Sequence, residues 1–580
     1  MDDTPLADVE INSELTGLNK GDQEKKKKII ILSAISVTII LVLIILIIIS
    51  LPGKSETKQD EEDKEQERKI SPIGQMNLVY DVQSTILITY LFGSEFKKEN
   101  TDFDIYVGEK QIKYSKEYKF NKIGKTNVTL KLYSNLNMDY MFKDVEDLIS
   151  VEMLSNGNCQ VISMISSFEN CKSLDNFNIT GFGATQLKST HKLFYRSGLN
   201  LFSFEKFDTL NLEDASYMFA GSRIQVFGFT GFNTEKVTNM SHMFEECEEL
   251  LWVGSSDAKT ENVVDMSYMF RSMTSIIFIE LNSFNTAKVK DMSFMFQNCE
   301  SLIQLEIKYF DTSNVLDMSH MFDNCYSLQI LDLSNFDTSN VKNMSYMFNY
   351  CSSMPKLDLS HFDTKNVEDT SFLFSSCREI EEIDISNFDL KNNKDMSYMF
   401  HDCTSIKKID FGNINTEKVE NMSSLFDECH SLTSVDLSKF RTGNVKDMSN
   451  MFQDCNQLTE IDVSKFDTSK VQNMSKLFEG CSAVNSLEVS GFDTKQVKDM
   501  TKMFEYCQVT SLDVSRFDTS NVIFMLDMFA EMKKLAKLDV SKFNTKNVKD
   551  MAGMFYDCEK LTSLQVTDFD TSNVEDFSYT

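Results

Sequence analysis

Positive charge is scarce in this chain: 58 Lys and Arg stand against 88 Asp and Glu, a net charge of −30 over 580 residues. A surface that grips nucleic acid needs a basic face, so that class of partner is disfavoured, and cations or basic partners are favoured instead. Histidine is also sparse. His191, His242, His320, His361, His401 and His430 scatter over the repeat described below and form no cluster with Ser or Cys. There is no nucleophile elbow, phosphate-binding loop or H-E-x-x-H, and Gly181-Phe-Gly183 is too short for a dinucleotide fingerprint. The chain is therefore expected not to be an enzyme and to need no cofactor.

What it has is periodicity. Phe142, Phe168, Phe194, Phe219, Phe244, Phe270, Phe296, Phe322, Phe348, Phe374, Phe400, Phe426, Phe452, Phe478, Phe504, Phe529 and Phe555 recur at intervals of 26 residues, or 25 on three occasions. A period of that size marks one supersecondary unit copied and stacked. Within one copy, Met354, Leu357, Leu359 and Phe362 have the spacing L-x-x-L-x-L-x-x-F. This matches the first half of a leucine-rich repeat, and Leu357 and Leu359 alternate with Asp358 as in a short half-buried strand. Val341, Met344, Met347, Phe348 and Cys351 are spaced as one apolar stripe on a short helix. Between the two lies Asp337-Thr338-Ser339-Asn340, residues that make turns and N-caps. The expected fold is an α/β solenoid, a leucine-rich-repeat array of about 26-residue strand-turn-helix units over residues 136–580. The last copy has its strand and turn but half a helix before Thr580, so the array is expected to be truncated at its C-terminus.

Ahead of the repeats, residues 29–51 are uncharged and almost wholly apolar, long enough to cross a bilayer, for which about 20 residues suffice. Lys25 to Lys28 precede them and acids follow from Glu56 on, so residues 1–28 are expected in the cytoplasm and the repeats outside. The apolar run exceeds a signal-peptide core and no small-x-small cleavage site follows, which favours an uncleaved anchor. The expected localisation is the plasma membrane, single-pass type II. Residues 52–74 read as a charged stalk. Residues 75–135 alternate in short runs rich in Val, Ile, Tyr and Phe, read as a small β-sandwich that caps the array.

The residue between the two apolar strand positions is acidic in eleven successive copies: Glu280, Glu306, Asp332, Asp358, Asp384, Asp410, Asp436, Asp462, Glu488, Asp513 and Asp539. Stacked strands would align these about 4.8 Å apart on the solvent face, where like charges oppose one another. The column is the candidate ligand-binding site, for extracellular protein or glycan partners; the competing reading is a solvated face screened by salt and nearby lysines. Calcium takes several carboxylate oxygens, but no Asp-x-Asp or Gly-rich loop accompanies the column, and no other metal is implied. A second acid row (Asp311, Asp337, Asp363, Asp389, Asp467, Asp493, Asp518) reads as turn chemistry. Twelve of thirteen Cys lie three after the landmark Phe, where other copies hold Val145, Ser197, Ser222, Met273 or Met532. Those replacements suit space filling, so buried free thiols are expected rather than a disulfide or zinc ladder. Asn127, Asn178, Asn239, Asn343, Asn421 and Asn473 stand in glycosylation sequons.

The phrase L-D-L-S-x-F-D-T-S-N-V-x-x-M-S-x-M-F, whole in residues 331–348 and followed by Cys351, resembles the repeat of BspA-like leucine-rich repeat surface proteins. The resemblance spans roughly residues 136–580. It implies a cell-surface protein that attaches to host components or other cells.

Overall fold

The computed structural model describes residues 71–579 except 204–208 and 257; the apolar segment 29–51, its tail and residues 52–70 of the expected stalk lie outside the described residues, and the stalk's last residue, Gly74, instead opens the strand Gly74–Val82. Among the described residues no helix is long and apolar enough to cross a membrane.

The expected strand forms in part of the array, and the expected helix is absent among the described residues. The repeats wind as a β-solenoid of leucine-rich-repeat-like coils. Val226–Gly228, Trp252–Gly254, Phe278–Glu280, Gln304–Glu306 and Ile330–Leu331 form a parallel sheet, and Glu382–Asp384 pairs with Lys408–Asp410 in the same way. The described residues contain no α-helix, and their one 3-10 turn is Lys98–Asn100. Where a helix was read, the chain makes tandem turns. Around Phe348 the N–H of Met347, Asn349 and Cys351 donate three residues back, to Met344, Tyr346 and Phe348. The N–H of Met344, Tyr346, Phe348 and Tyr350 instead donate to the next coil, to the carbonyls of Asp369, Ser371, Leu373 and Ser375. A helix keeps its N–H bonds within its own segment; here every second one links coils. Tyr346 and Tyr350 sit at φ 59° and 55°, a left-handed conformation that single residues visit but helices do not propagate. The apolar spacing of three, three and one was real; tandem turns bury it as a helix would.

The D-T-S-N segment therefore caps nothing helical. Asp337 Oδ1 accepts the Ser339 N–H at 2.9 Å, an Asx turn. Thr338 reaches forward to Asp363 of the next coil, and Asn340 Nδ2 reaches back to the Ser313 carbonyl of the previous one at 2.8 Å. A further row, from Ser189 through Asn343 to Asp576, is joined by unbroken parallel bridges from coil to coil.

All seventeen landmark Phe rings stack in sequence, with centroids 5.3–6.1 Å apart. Phe92 of the N-terminal region stacks on Phe142 at 5.9 Å and so begins the column. That region holds a mixed six-stranded sheet in the order Asn176–Thr180, Leu148–Ser155, Gly74–Val82, Gly124–Leu132, Phe103–Val107, Lys110–Ile112, and a separate antiparallel pair, Thr89–Tyr90 with Glu117–Tyr118. Gly74–Val82 pairs antiparallel with Leu148–Ser155, which belongs to the first coils. The cap thus shares a sheet with the array, because its alternating strand needed one covered face and the exposed edge of the first coil supplied a partner.

Candidate functional site

Where the coils form strands, acids of the column face one another across the ladder. Glu280 lies opposite Glu306, and Asp384 opposite Asp410, on neighbouring parallel strands. Every member is exposed except the half-buried Glu306. The structure also shows what each acid does locally. Asp332, Asp358, Asp384, Asp436, Asp462, Asp513 and Asp539 use Oδ1 to accept the N–H of the Ser two residues on, at 2.9–3.1 Å. Asp410 does so with Gly412, and Glu488 with Ser490. The hydroxyl and backbone N–H of that Ser hold the carboxyls of Asp358, Asp384, Asp462, Asp513 and Asp539 below their ordinary range. They are therefore charged at neutral pH, with one oxygen fixed by the turn and the second facing water. The column is a rigid line of negative charge, repeated at the coil spacing of about 4.8 Å. Among the described residues, no group of three or more His, Cys, Asp or Glu converges as metal ligands do.

The second acid row has the same turn chemistry, as Asp311 with Ser313 and Asp363 with Lys365 show. Four sequon residues, Asn239, Asn343, Asn421 and Asn473, stand in the bridge row among Asp214, Asp265, Asp369 and Asp395. Asn343 Oδ1 accepts both the N–H and the hydroxyl of Ser345, at 3.0 and 2.9 Å. Asp369 and Asp395 accept the same N–H from Ser371 and Ser397 at 2.8 Å, so the N-x-S pattern follows from an Asx turn in which Asn and Asp interchange. Those four amides are half-buried, whereas Asn127 and Asn178 are exposed on strands.

The cysteines are free, and all but the half-buried Cys558 are buried. Eleven of the thirteen donate to the landmark Phe carbonyl of the preceding coil, as Cys351 Sγ does to Phe322 at 3.3 Å, and Cys159 donates to the Ser134 carbonyl. Burial pushes the Cys299, Cys403 and Cys507 thiols up to about 12.

Sequence reasoning missed one feature. The x of M-S-x-M-F is aromatic in eight consecutive coils, and the rings of Tyr217, His242, Tyr268, Phe294, His320, Tyr346, Phe372 and Tyr398 stack face to face at 4.1–4.5 Å. His242 and His320, read as scattered, share this register. On a helix these positions would fan into solvent; a residue at positive φ in stacked turns projects its ring flat onto its neighbour. The 26-residue recurrence of that aromatic was the available signal. A polar row runs alongside: Glu245 accepts Arg271, Arg271 donates to Gln297, and Gln297 and Asn349 both donate to Asp323, at 2.7–2.8 Å. Burial disfavours the Glu245 charge, but hydrogen bonds from His242 and Arg271 outweigh it and its carboxyl lies below its ordinary range. Because the ring faces cover one another, the ladder presents ring edges to solvent and serves cohesion between coils.

The family model described as "Mycoplasma protein of unknown function, DUF285" matches residues 114–227, 223–329, 303–410, 394–508 and 478–580. Similar solved structures include a leucine-rich repeat protein from Eubacterium ventriosum, 14% identical over 60% of this chain and 94% of that one, with a TM-score of 0.27. Others are a chain of a TLR13–ssRNA13 complex (11% identity, 73% of this chain and 82% of that one, TM-score 0.19) and the functional domain of InlJ from Listeria monocytogenes, which includes a cysteine ladder (12%, 73% and 63%, TM-score 0.14). No curated protein matches the sequence.

Proposed function

The chain belongs to the DUF285 family, and on that premise we propose that it is a membrane-anchored surface binding protein of the BspA-like kind, not an enzyme. Residues 29–51 anchor it as a single-pass type II protein, and the solenoid presents its acid column outside the cell to a basic protein or hydroxyl-rich glycan. One observation carries this reading: eleven successive coils carry an acid at the same repeat position, and where the strands pair the carboxylates stand opposite one another, Glu280 with Glu306 and Asp384 with Asp410. Like charges so close are unfavourable, and a ligand that neutralises several at once recovers that cost.

The experiment is binding of matrix proteins and glycans to the full chain and to Asp358→Asn, Asp384→Asn, Asp410→Asn. Asn still offers Oδ1 to the turn, so the triple variant keeps the fold while removing three adjacent charges. Saturable binding that weakens at least tenfold in the variant supports the proposal; equal binding by both proteins moves the site to another face.

A second reading, a structural coat or receptor ectodomain without a high-affinity ligand, has its own support. The Ser N–H bonds account for most of the column as turn formers. Absence of saturable binding across the same ligand set favours it.

A further inference from the structure

Among the described residues the most exposed aliphatic side chains lie in the N-terminal sheet region. Ile86, Leu87 and Ile88 are consecutive and 81%, 68% and 55% exposed; Ile123 is 61% and Tyr90 54% exposed. The strand pairing brings their two segments together. Val82 lies opposite Gly124, and Thr89 opposite Tyr118, so residues 83–88 and 119–123 run side by side between two fixed ends. Ser84 Oγ accepts the N–H of Ile86 at 3.1 Å and of Leu87 at 3.3 Å. That turn satisfies two backbone N–H groups at the tip, and the aliphatic side chains beside them stay exposed. A contiguous exposed apolar patch on a protein surface marks an interaction site.

The charge around the tip names its partner. Lys119, Lys122 and Lys125 are exposed on the second segment. Residues 83–90 and 118–126 contain no acid, in a chain whose net charge is −30. An apolar wedge rimmed by lysines is the pattern of a surface that lies in the interface of an anionic bilayer: the aliphatic groups enter the boundary between headgroups and acyl chains, and the ammonium groups stay with the phosphates.

We propose that the paired tips around Leu87 and Ile123 form a second membrane contact, docking the N-terminal end of the solenoid onto an anionic lipid surface. The proposal rests on the tip's own composition and goes beyond the anchoring assigned to residues 29–51.

The test uses the full chain reconstituted with vesicles of phosphatidylcholine, with and without phosphatidylglycerol. An environment-sensitive fluorophore is placed on Leu87→Cys in a Cys558→Ser background, Ser being the residue the chain itself uses at that register in Ser197 and Ser222. A matched label on Ser464→Cys reports the strand face. The expected result is a blue-shifted emission at position 87, quenched by spin-labelled lipid, on phosphatidylglycerol vesicles, with solvent-like emission at position 464. The shift should fall several-fold on phosphatidylcholine alone, in high salt, or when Lys119, Lys122 and Lys125 become Gln. Solvent-like emission at 87 on both vesicles overturns the proposal, and so does a blue shift that lipid quenchers do not reach, which would mean a protein contact. Flotation separates the two membrane readings. A chain that floats with a solvent-exposed tip keeps its anchor and loses the docking; a lipid-quenched tip lost on extraction with high salt keeps the docking and loses the anchor.

Discussion

The Thr338 hydroxyl accepts the backbone N–H of Asp363 at 2.8 Å and donates to the carbonyl of the same residue at 3.0 Å. One side chain thus satisfies both polar groups of a residue in the next coil. The relation recurs as Thr364 to Asp389, Thr442 to Asp467 and Thr519 to Asn544.

Thr338→Val keeps the shape and removes both bonds. Leaving buried polar groups unsatisfied costs about 1–3 kcal/mol. Leu390 occupies this register in one coil and is buried there, so a single loss is tolerated by the fold. The expected outcome is a lowered denaturant midpoint with an unchanged m-value; no shift would mean that water replaces the hydroxyl.

The thiols report on integrity. With Cys299, Cys403 and Cys507 pushed up to about 12 by burial, the thiolate needed for alkylation is nearly absent at neutral pH. Native protein should resist iodoacetamide, with Cys558 labelled first, and all thirteen Cys should react once the coils unfold. Mass spectrometry of labelled peptides gives the order; early labelling of Cys403 would contradict the packing.

Positive φ at Glu428 (58°) carries a specific expectation. The left-handed region costs a non-glycine residue about 1–2 kcal/mol, and the same register holds Gly221 and Gly480 at φ 67° and 72°. Glu428→Gly should be neutral or raise the melting temperature, because relief of strain is partly offset by unfolded-chain entropy. Glu428→Val should lower it, β-branched residues fitting that region worst. Thermal unfolding of both variants checks the sign.

Asp369 gives a pH dependence of the opposite sign to the acid column. Burial raises its carboxyl above the ordinary range despite the bonds from Ser371. An acid raised in the folded state disfavours folding once ionised, so its penalty is fully present at neutral pH, declines as pH falls through the folded value and is gone below the unfolded one. Asp369→Asn, the residue present at positions 343 and 421, should stabilise the protein at neutral pH and confer no gain near pH 3. For Asp384 and Asp462, whose carboxyls are lowered, the contribution is present above the ordinary carboxylate range and lost on acidification. Denaturation curves across pH separate the two cases.

Much was legible in the residues alone. The Phe interval fixed the coil length, and the alternation at Leu357 and Leu359 put Asp358 on the solvent face. The recurring Asp, Thr, Ser and Asn announced a turn, and the replacements at the Cys register announced a buried free thiol. Each of these is a property of one coil, or of one position compared with its copies. Three outcomes belong to the tertiary structure: tandem turns in place of a helix, the ladder from Tyr217 to Tyr398, and the sheet that Gly74–Val82 shares with the first coil. All three depend on where backbone N–H groups find acceptors. Within one coil, Met344 to Cys351 has the spacing of a helix, and nothing local forbids one. Stacking offers Met344, Tyr346, Phe348 and Tyr350 carbonyls on the neighbouring coil, and taking them forces Tyr346 and Tyr350 to positive φ. That choice is made between coils, 25 residues apart in sequence, where the pattern of a single repeat carries no information.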